Sequence, residues 1–352
     1  MKTLFFGFLG LGLVPNQASA QYLTHHQQHF FDGSDVERQV FETKALTPVP
    51  SKNKKKLFWA FASNVRQNSD GDTATLLTNL KGNTPNTSPF EFNWAREYFS
   101  NSGWDLEVED VNFETRGLMK RNYILCGSIK KGKKSQGFML RVTASGNVVT
   151  ARRYQDIYNL KSCIPNHETN GYVAVGQTQP RKNGLKDAVY VNVKKNLKPS
   201  CGLNMTGIFP EQDFFGLQQE SGFNKVIPYS RKGYQLYAAV GETASNSFSD
   251  CEQNSDVLVA LVHEGCEVRW VNRYGSQGEP ALKKTIAERG LSIAQFDTSE
   301  GGLVITGKTT ATYGCDDTAF DNILIFKLQE DGSIVNWMGH YSVEHDVSNC
   351  GL

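Results

Sequence analysis

The chain has 352 residues, with 37 Lys and Arg against 36 Asp and Glu, and carries 32 glycines. A formal charge of only +1 excludes a general nucleic-acid or anionic-membrane binder, which needs a basic excess. Long amphipathic periodicity is nearly absent, which argues against a helical bundle. No apolar run is long enough to cross a bilayer as a helix.

The chain opens on Met1-Lys2, runs apolar from Leu4 to Val14 and reaches Ala18-Ser19-Ala20. A basic start, a short apolar core and small residues before the break predict a cleaved secretory signal over 1–20, with Gln21 as the new N-terminus. Losing Lys2 leaves the mature chain with balanced charge. The expected location is secreted or extracellular, or periplasmic if the source is bacterial. Export permits disulfides among the seven cysteines, and the odd count leaves at least one unpaired. Cys126 is the best unpaired thiol, because Tyr123-Ile124-Leu125-Cys126 reads as an apolar strand in which a thiol acts as a small hydrophobe. No C-x-x-C spacing suggests a zinc or redox site.

From about residue 35 one unit recurs, with strands a to d in each copy. Unit one, 35–100, has Phe41–Leu46 as strand a, Phe58–Ser63 as strand b, and Trp94 with Tyr98 on strand d. Unit two, 105–155, aligns Phe113–Leu118 as strand a with Phe41–Leu46, then gives Ile124–Ser128 as strand b and a Ser145-Gly146 turn. Its strand d ends in Tyr154, with Thr150 at the Trp position. Unit three, 157–207, has Asn159–Ile164 and Val173–Thr178, and lacks the strand-d Trp. Unit four, 220–275, has Phe223–Ile227 and Ala238–Thr243. Its strand c, Val257–Val262, is wholly apolar, as a strand buried on both faces should be. Glu264-Gly265 then turns the chain into Trp270 and Tyr274. Unit five, 288–341, gives Leu291–Phe296, Leu303–Thr306 followed by Gly307, Ile323–Leu328, and Ile334–Tyr341 after Asp331-Gly332. A small residue at the end of strand b falls at 62, 127, 176, 241 and 307.

Four antiparallel strands per unit, none able to bury two faces alone, predict an all-β β-propeller of residues 21–352. Five blades are expected, six with an irregular blade being the alternative, and a terminus is expected to clasp the ring. Tyr274-Gly275, Gly301-Gly302, Gly307-Lys308-Thr309, Asp321, Gly332 and Trp337 resemble the repeat of secreted bacterial β-propeller proteins. That resemblance implies the fold over nearly the whole mature chain, and no catalytic motif. Recurrent Trp and Tyr four apart on strand d share one face and suit packing between blades.

Several residues carry possible chemistry. Glu42 and Glu114, equivalent in that alignment, with Asp297, are the acids that a glycoside-cleaving channel would use. Asn68, Asp70 and Asp72 resemble a short calcium loop, but position twelve is Asn79, so an exposed turn is the plainer reading. The Asp before strand c (Asp72, Asp187, Asp256, Asp321) reads as a turn residue. Lys52–Lys56 and Lys194–Lys198 fall on one face and Lys130–Lys134 on the opposite one, and all read as solvated loop charge. No phosphate loop, nucleophile elbow or zincin motif occurs, so no cofactor and no metal are expected. The function expected is a secreted, non-catalytic module that binds a glycan or an extracellular protein through one loop face. The alternatives are a glycoside hydrolase with channel carboxylates and an adhesive or structural scaffold.

Overall fold

The computed structural model describes residues 39–49, 56–66, 73–83, 91–100, 103–114, 122–166, 169–182, 184–204, 220–231, 234–244, 255–275, 287–296, 301–311 and 320–341. The leader, Asn68, Asp70, Asp72 and Asp297 lie outside them.

Among the described residues, twenty strands form five four-stranded antiparallel sheets. Blade one holds β1 (Gln39–Val49), β2 (Lys56–Arg66), β3 (Thr73–Asn83) and β4 (Glu91–Tyr98). Blade two holds β5 (Asp105–Phe113), β6 (Asn122–Lys131), β7 (Lys134–Thr143) and β8 (Val148–Tyr154). Blade three holds β9 (Ile157–Asn166), β10 (Gly171–Thr178), β11 (Ala188–Val193) and β12 (Pro199–Asn204). Blade four holds β13 (Ser221–Arg231), β14 (Tyr234–Ala244), β15 (Ser255–His263) and β16 (Val268–Tyr274). Blade five holds β17 (Ala287–Gln295), β18 (Leu303–Ala311), β19 (Phe320–Leu328) and β20 (Ile334–Tyr341). Within each blade the strands pair in sequence order, and one parallel bridge, Ser255 to Ala287, joins blades four and five. The five innermost strands, β1, β5, β9, β13 and β17, converge on one cavity of about 400 Å³. The chain is a five-bladed β-propeller.

Side-chain alternation explains why the central strands look continuously apolar. On β15, Leu258, Ala260 and Val262 enter the core shared with blade three, while Val257, Val259 and Leu261 enter the core shared with blade five. On β6, Tyr123 and Leu125 face blade one, whereas Ile124 and Cys126 face blade three. β6 and β15 thus each serve two interblade cores, and polar residues would be costly on either face. Each large side chain so buried contributes roughly 1.5–3 kcal/mol.

The strand-d tyrosines latch neighbouring blades. Tyr98 donates its hydroxyl hydrogen bond to the Gly146 carbonyl at 2.8 Å, Tyr154 to Leu197 at 2.8 Å and Tyr274 to Gly332 at 2.6 Å. Each acceptor is the left-handed residue of the next blade's c–d hairpin, with φ of 83°, 61° and 85° in turn. The fourth such residue is Cys266, with φ 64°. It is reached by a disulfide from Cys201, which occupies the Trp position of blade three. A covalent link therefore replaces the aromatic contact where blade three lacks the Trp. Cys126 is a free, buried thiol, and so is Cys163.

Two expectations are corrected. Gly307 is not at a strand end but inside β18, as Gly127, Gly176 and Gly241 are inside β6, β10 and β14. The Phe113–Leu118 segment is not the inner strand of blade two. That strand is β5, which ends at Phe113, and the local match to Phe41–Leu46 has the wrong register.

Candidate active site

The site is built from a fault repeated in all five inner strands. Pairing with strand b slips at a matching place in each, passing over Lys44, Glu109, Lys161, Asn224 and Leu291. These bulges put one extra residue per blade at the same height, and all five residues line the axial cavity.

The repeated glycines are the sequence's answer to the bulge. A Cβ at Gly127 would lie 1.9 Å from the Glu107 carbonyl oxygen. At Gly176, Gly241 and Gly307 it would lie 2.1, 1.9 and 2.0 Å from the corresponding carbonyls of Asn159, Gly222 and Arg289. Only glycine lets the bulged strand approach so closely. In blade one the register puts Ser63, not Ala62, at this place, and the inner strand carries a second register shift at Val40/Glu42.

The ring is strongly charged. Glu109 accepts from Lys161 Nζ at 2.7 Å, with Lys44 Nζ at 3.7 Å on its other oxygen. Asp110, next in sequence and 5% exposed in its side chain, forms an ion pair with Lys225 at 2.9 Å. It also accepts from Ser162 Oγ at 2.7 Å, Val111 N at 3.0 Å, Cys163 N at 3.2 Å and Asn112 Nδ2 at 3.3 Å. That saturation makes Asp110 a structural anion that ties blades two, three and four together. Burial works to lower the Lys225 pKa, but the Asp110 charge and hydrogen bond outweigh it and hold Lys225 above its ordinary value.

One step along from the bulges, Glu242 on β14 lies opposite Gly222 and pairs with Arg289 of blade five at 2.8 Å. Burial pushes the Glu242 carboxyl above its ordinary range. Arg289, 59% exposed, and Lys161 only partly oppose this, and Glu220 adds to the rise. Lys161 therefore acts on both Glu109 and Glu242.

Of the acids expected from sequence, Glu114 lies just past β5, in a buried cluster. It pairs with Arg141 at 3.2 Å and accepts from Asn122 at 2.8 Å. The Glu42 side chain and Asp297 lie outside the described residues, as do the calcium-loop positions. Register places Glu42 in correspondence with Glu107, whose partner is Lys130 at 2.5 Å. Asp187 is not a simple turn residue: it is buried and paired with Arg181. Glu109, Asp110 and Glu242 escaped the sequence reading. Each inner acid sits opposite or beside the strand-b glycine, and that glycine spacing is the signal that points to them.

No family model matches the sequence, and no curated protein is similar to it. Among solved structures, a Bacillus subtilis levansucrase mutant aligns over 92% of this chain and 88% of its own, at 9% identity and a TM-score of 0.38. The Bombyx mori GH32 β-fructofuranosidase aligns over 83% and 72%, at 10% identity and a TM-score of 0.37. A mutant of it in complex with sucrose aligns over 90% and 92%, at 9% identity and a TM-score of 0.31. At such values the fold assignment rests on the strand pairing above. The expectation of a non-catalytic binding module is corrected to this extent: the solved structures found bear the names levansucrase and β-fructofuranosidase, and none is named as a binding module. Among the described residues, no helix is long and apolar enough to cross a membrane, and no group of His, Cys, Asp and Glu could hold a metal ion.

Proposed function

We propose that the axial channel is a glycoside-cleaving centre. The observation that carries this reading is two glutamates linked electrostatically through Lys161: Glu109, which lines the channel and is ion-paired to lysines, and Glu242 on the adjoining strand β14, whose carboxyl is raised by burial. In this scheme Glu242 gives its proton to the departing glycosidic oxygen. Glu109 takes a proton from the attacking water, and Lys161 and Lys44 hold it in place. Asp110 and Lys225, which line the same cavity, are engaged with each other and hold its wall. The ligand is a glycan, and the same reading places the protein outside the reducing cytosol. The Cys201–Cys266 bridge supports that placement.

The test is a screen of aryl glycosides and of disaccharides to short oligosaccharides with the full mature chain. Glu242→Gln and Glu109→Gln should each lower kcat by about 10²–10⁴ with an unchanged melting temperature. Glu242→Gln should also remove the alkaline limb of the pH profile, because the proton it donates is gone. Turnover that survives both substitutions would sink the proposal, as would no turnover of any glycoside by the unaltered protein.

A further inference from the structure

Two cysteines stand apart from the proposed chemistry yet touch its frame. Cys126 on β6 of blade two and Cys163 on β9 of blade three are both free and fully buried, in one shared core. Each thiol acts on the other's ionisation, and Cys163 Sγ lies 3.9 Å from the carbonyl of Ile124, two residues before Cys126. The main chain is joined at the same point. Cys126 is the register partner of Asp110, and the Cys163 N–H donates to Asp110 Oδ2 at 3.2 Å. The next junction along the ring already carries a covalent staple, Cys201–Cys266, across blades three and four.

We propose that Cys126 and Cys163 are a modification site: a second interblade cystine, formed when the chain folds in the presence of a small-molecule disulfide oxidant. The balance is that of thiol–disulfide exchange. One protein thiolate attacks glutathione disulfide and expels one glutathione thiolate. The second protein thiolate attacks the mixed disulfide and expels the other. The protein loses two electrons and two protons, and one glutathione disulfide becomes two glutathione thiols.

The timing follows from the burial. The thiolate is the attacking species, and burial pushes both thiols upward. The closed core also admits no oxidant of that size. The bridge therefore forms before blades two and three close, and the folded, reduced protein is kinetically trapped without it. Once made, it pins β6 to β9 directly behind Asp110, on the channel wall. This inference does not rest on the glycosidase reading.

The experiment uses the full chain made in two ways, by export through an oxidising compartment and in a reducing cytosol. Free thiols are blocked with iodoacetamide in denaturant, and the digest is mapped without reduction. The exported protein should give linked peptides for both Cys201–Cys266 and Cys126–Cys163, and the cytosolic protein neither. Folded cytosolic protein held with glutathione disulfide should acquire Cys201–Cys266 at least tenfold faster than Cys126–Cys163. Exported protein with Cys201–Cys266 joined but Cys126 and Cys163 alkylated overturns the proposal. So does pairing of either thiol with Cys251, Cys315 or Cys350. Rapid oxidation of the folded protein at Cys126 and Cys163 overturns the timing.

Discussion

Replacing Gly127 with alanine tests the reasoning about the bulge most directly. The added Cβ would lie 1.9 Å from the Glu107 carbonyl oxygen and 2.9 Å from the ring of Phe138. Ordinary carbon–oxygen contacts begin at about 3 Å, so the strands must part by roughly 1 Å or the bulge must flatten. Neither the main chain of β5 nor the buried Phe138 ring, 4% exposed, can swing aside cheaply. Overpacking of this kind costs about 1–3 kcal/mol, and a clash with main chain falls at the top of that range. At about 2 °C per kcal/mol for a domain of this size, the melting temperature should fall by about 6 °C. Gly265→Ala is the control: no atom lies within 4 Å of its added Cβ, and its effect should stay within about 0.5 kcal/mol. Differential scanning calorimetry on both variants is the assay. If Gly127→Ala melts with Gly265→Ala, the glycine does not exist to admit the bulge, and the account of how Glu109 reaches the channel is wrong.

Four further outcomes are expected. Tyr274→Phe and Tyr98→Phe each strand a buried carbonyl, Gly332 or Gly146, and should each cost about 1–3 kcal/mol by thermal melting; no loss at either would dismiss the latch. Cys201→Ser opens a crosslink spanning 65 residues, for which the chain-entropy model gives about 4 kcal/mol, and a reductant titration of the unaltered protein should match it. Asp110→Asn leaves the Lys225 charge without its partner and should cost about 3 kcal/mol, the low end for a buried pair because Lys225 keeps 34% side-chain exposure. The same pair predicts a pH dependence. The Lys225 pKa is raised above 10.5 in the fold, so its stabilisation is complete below that value and is lost as pH climbs through the higher folded one. Tyr274, pushed up from 10.0 to about 12, acts in the same direction. Alkaline unfolding should therefore begin near pH 10 and move in Lys225→Met; an unmoved transition would remove Lys225 from the account.

The blade architecture was legible because it is written in composition that repeats. Apolar runs such as Val257–Val262 and the hairpin Asp331-Gly332 have no other reading at that spacing, and Trp270 and Tyr274 mark the outer strand. The site was less legible for a physical reason. A bulge adds a residue without altering hydrophobic alternation enough to notice, so the reading of β5 slid to the nearby Phe113-Glu114 and away from Glu109. Asp110 and Lys225 are 115 residues apart, and only the closing of the ring brings them together. The Cys201–Cys266 bridge was equally hidden, since its meaning lies in a latch whose geometry the sequence does not display.

The shared irregularity of the inner strands has an evolutionary consequence. Every blade offers one side chain to the axis from a backbone pocket that is alike from copy to copy, and that side chain contributes little to the interblade packing. Lysine, glutamate, asparagine and leucine already occupy the five places. The axis thus works like a combination dial with five wheels, on which a single codon change resets the polarity of the opening while the scaffold around it stays as it was.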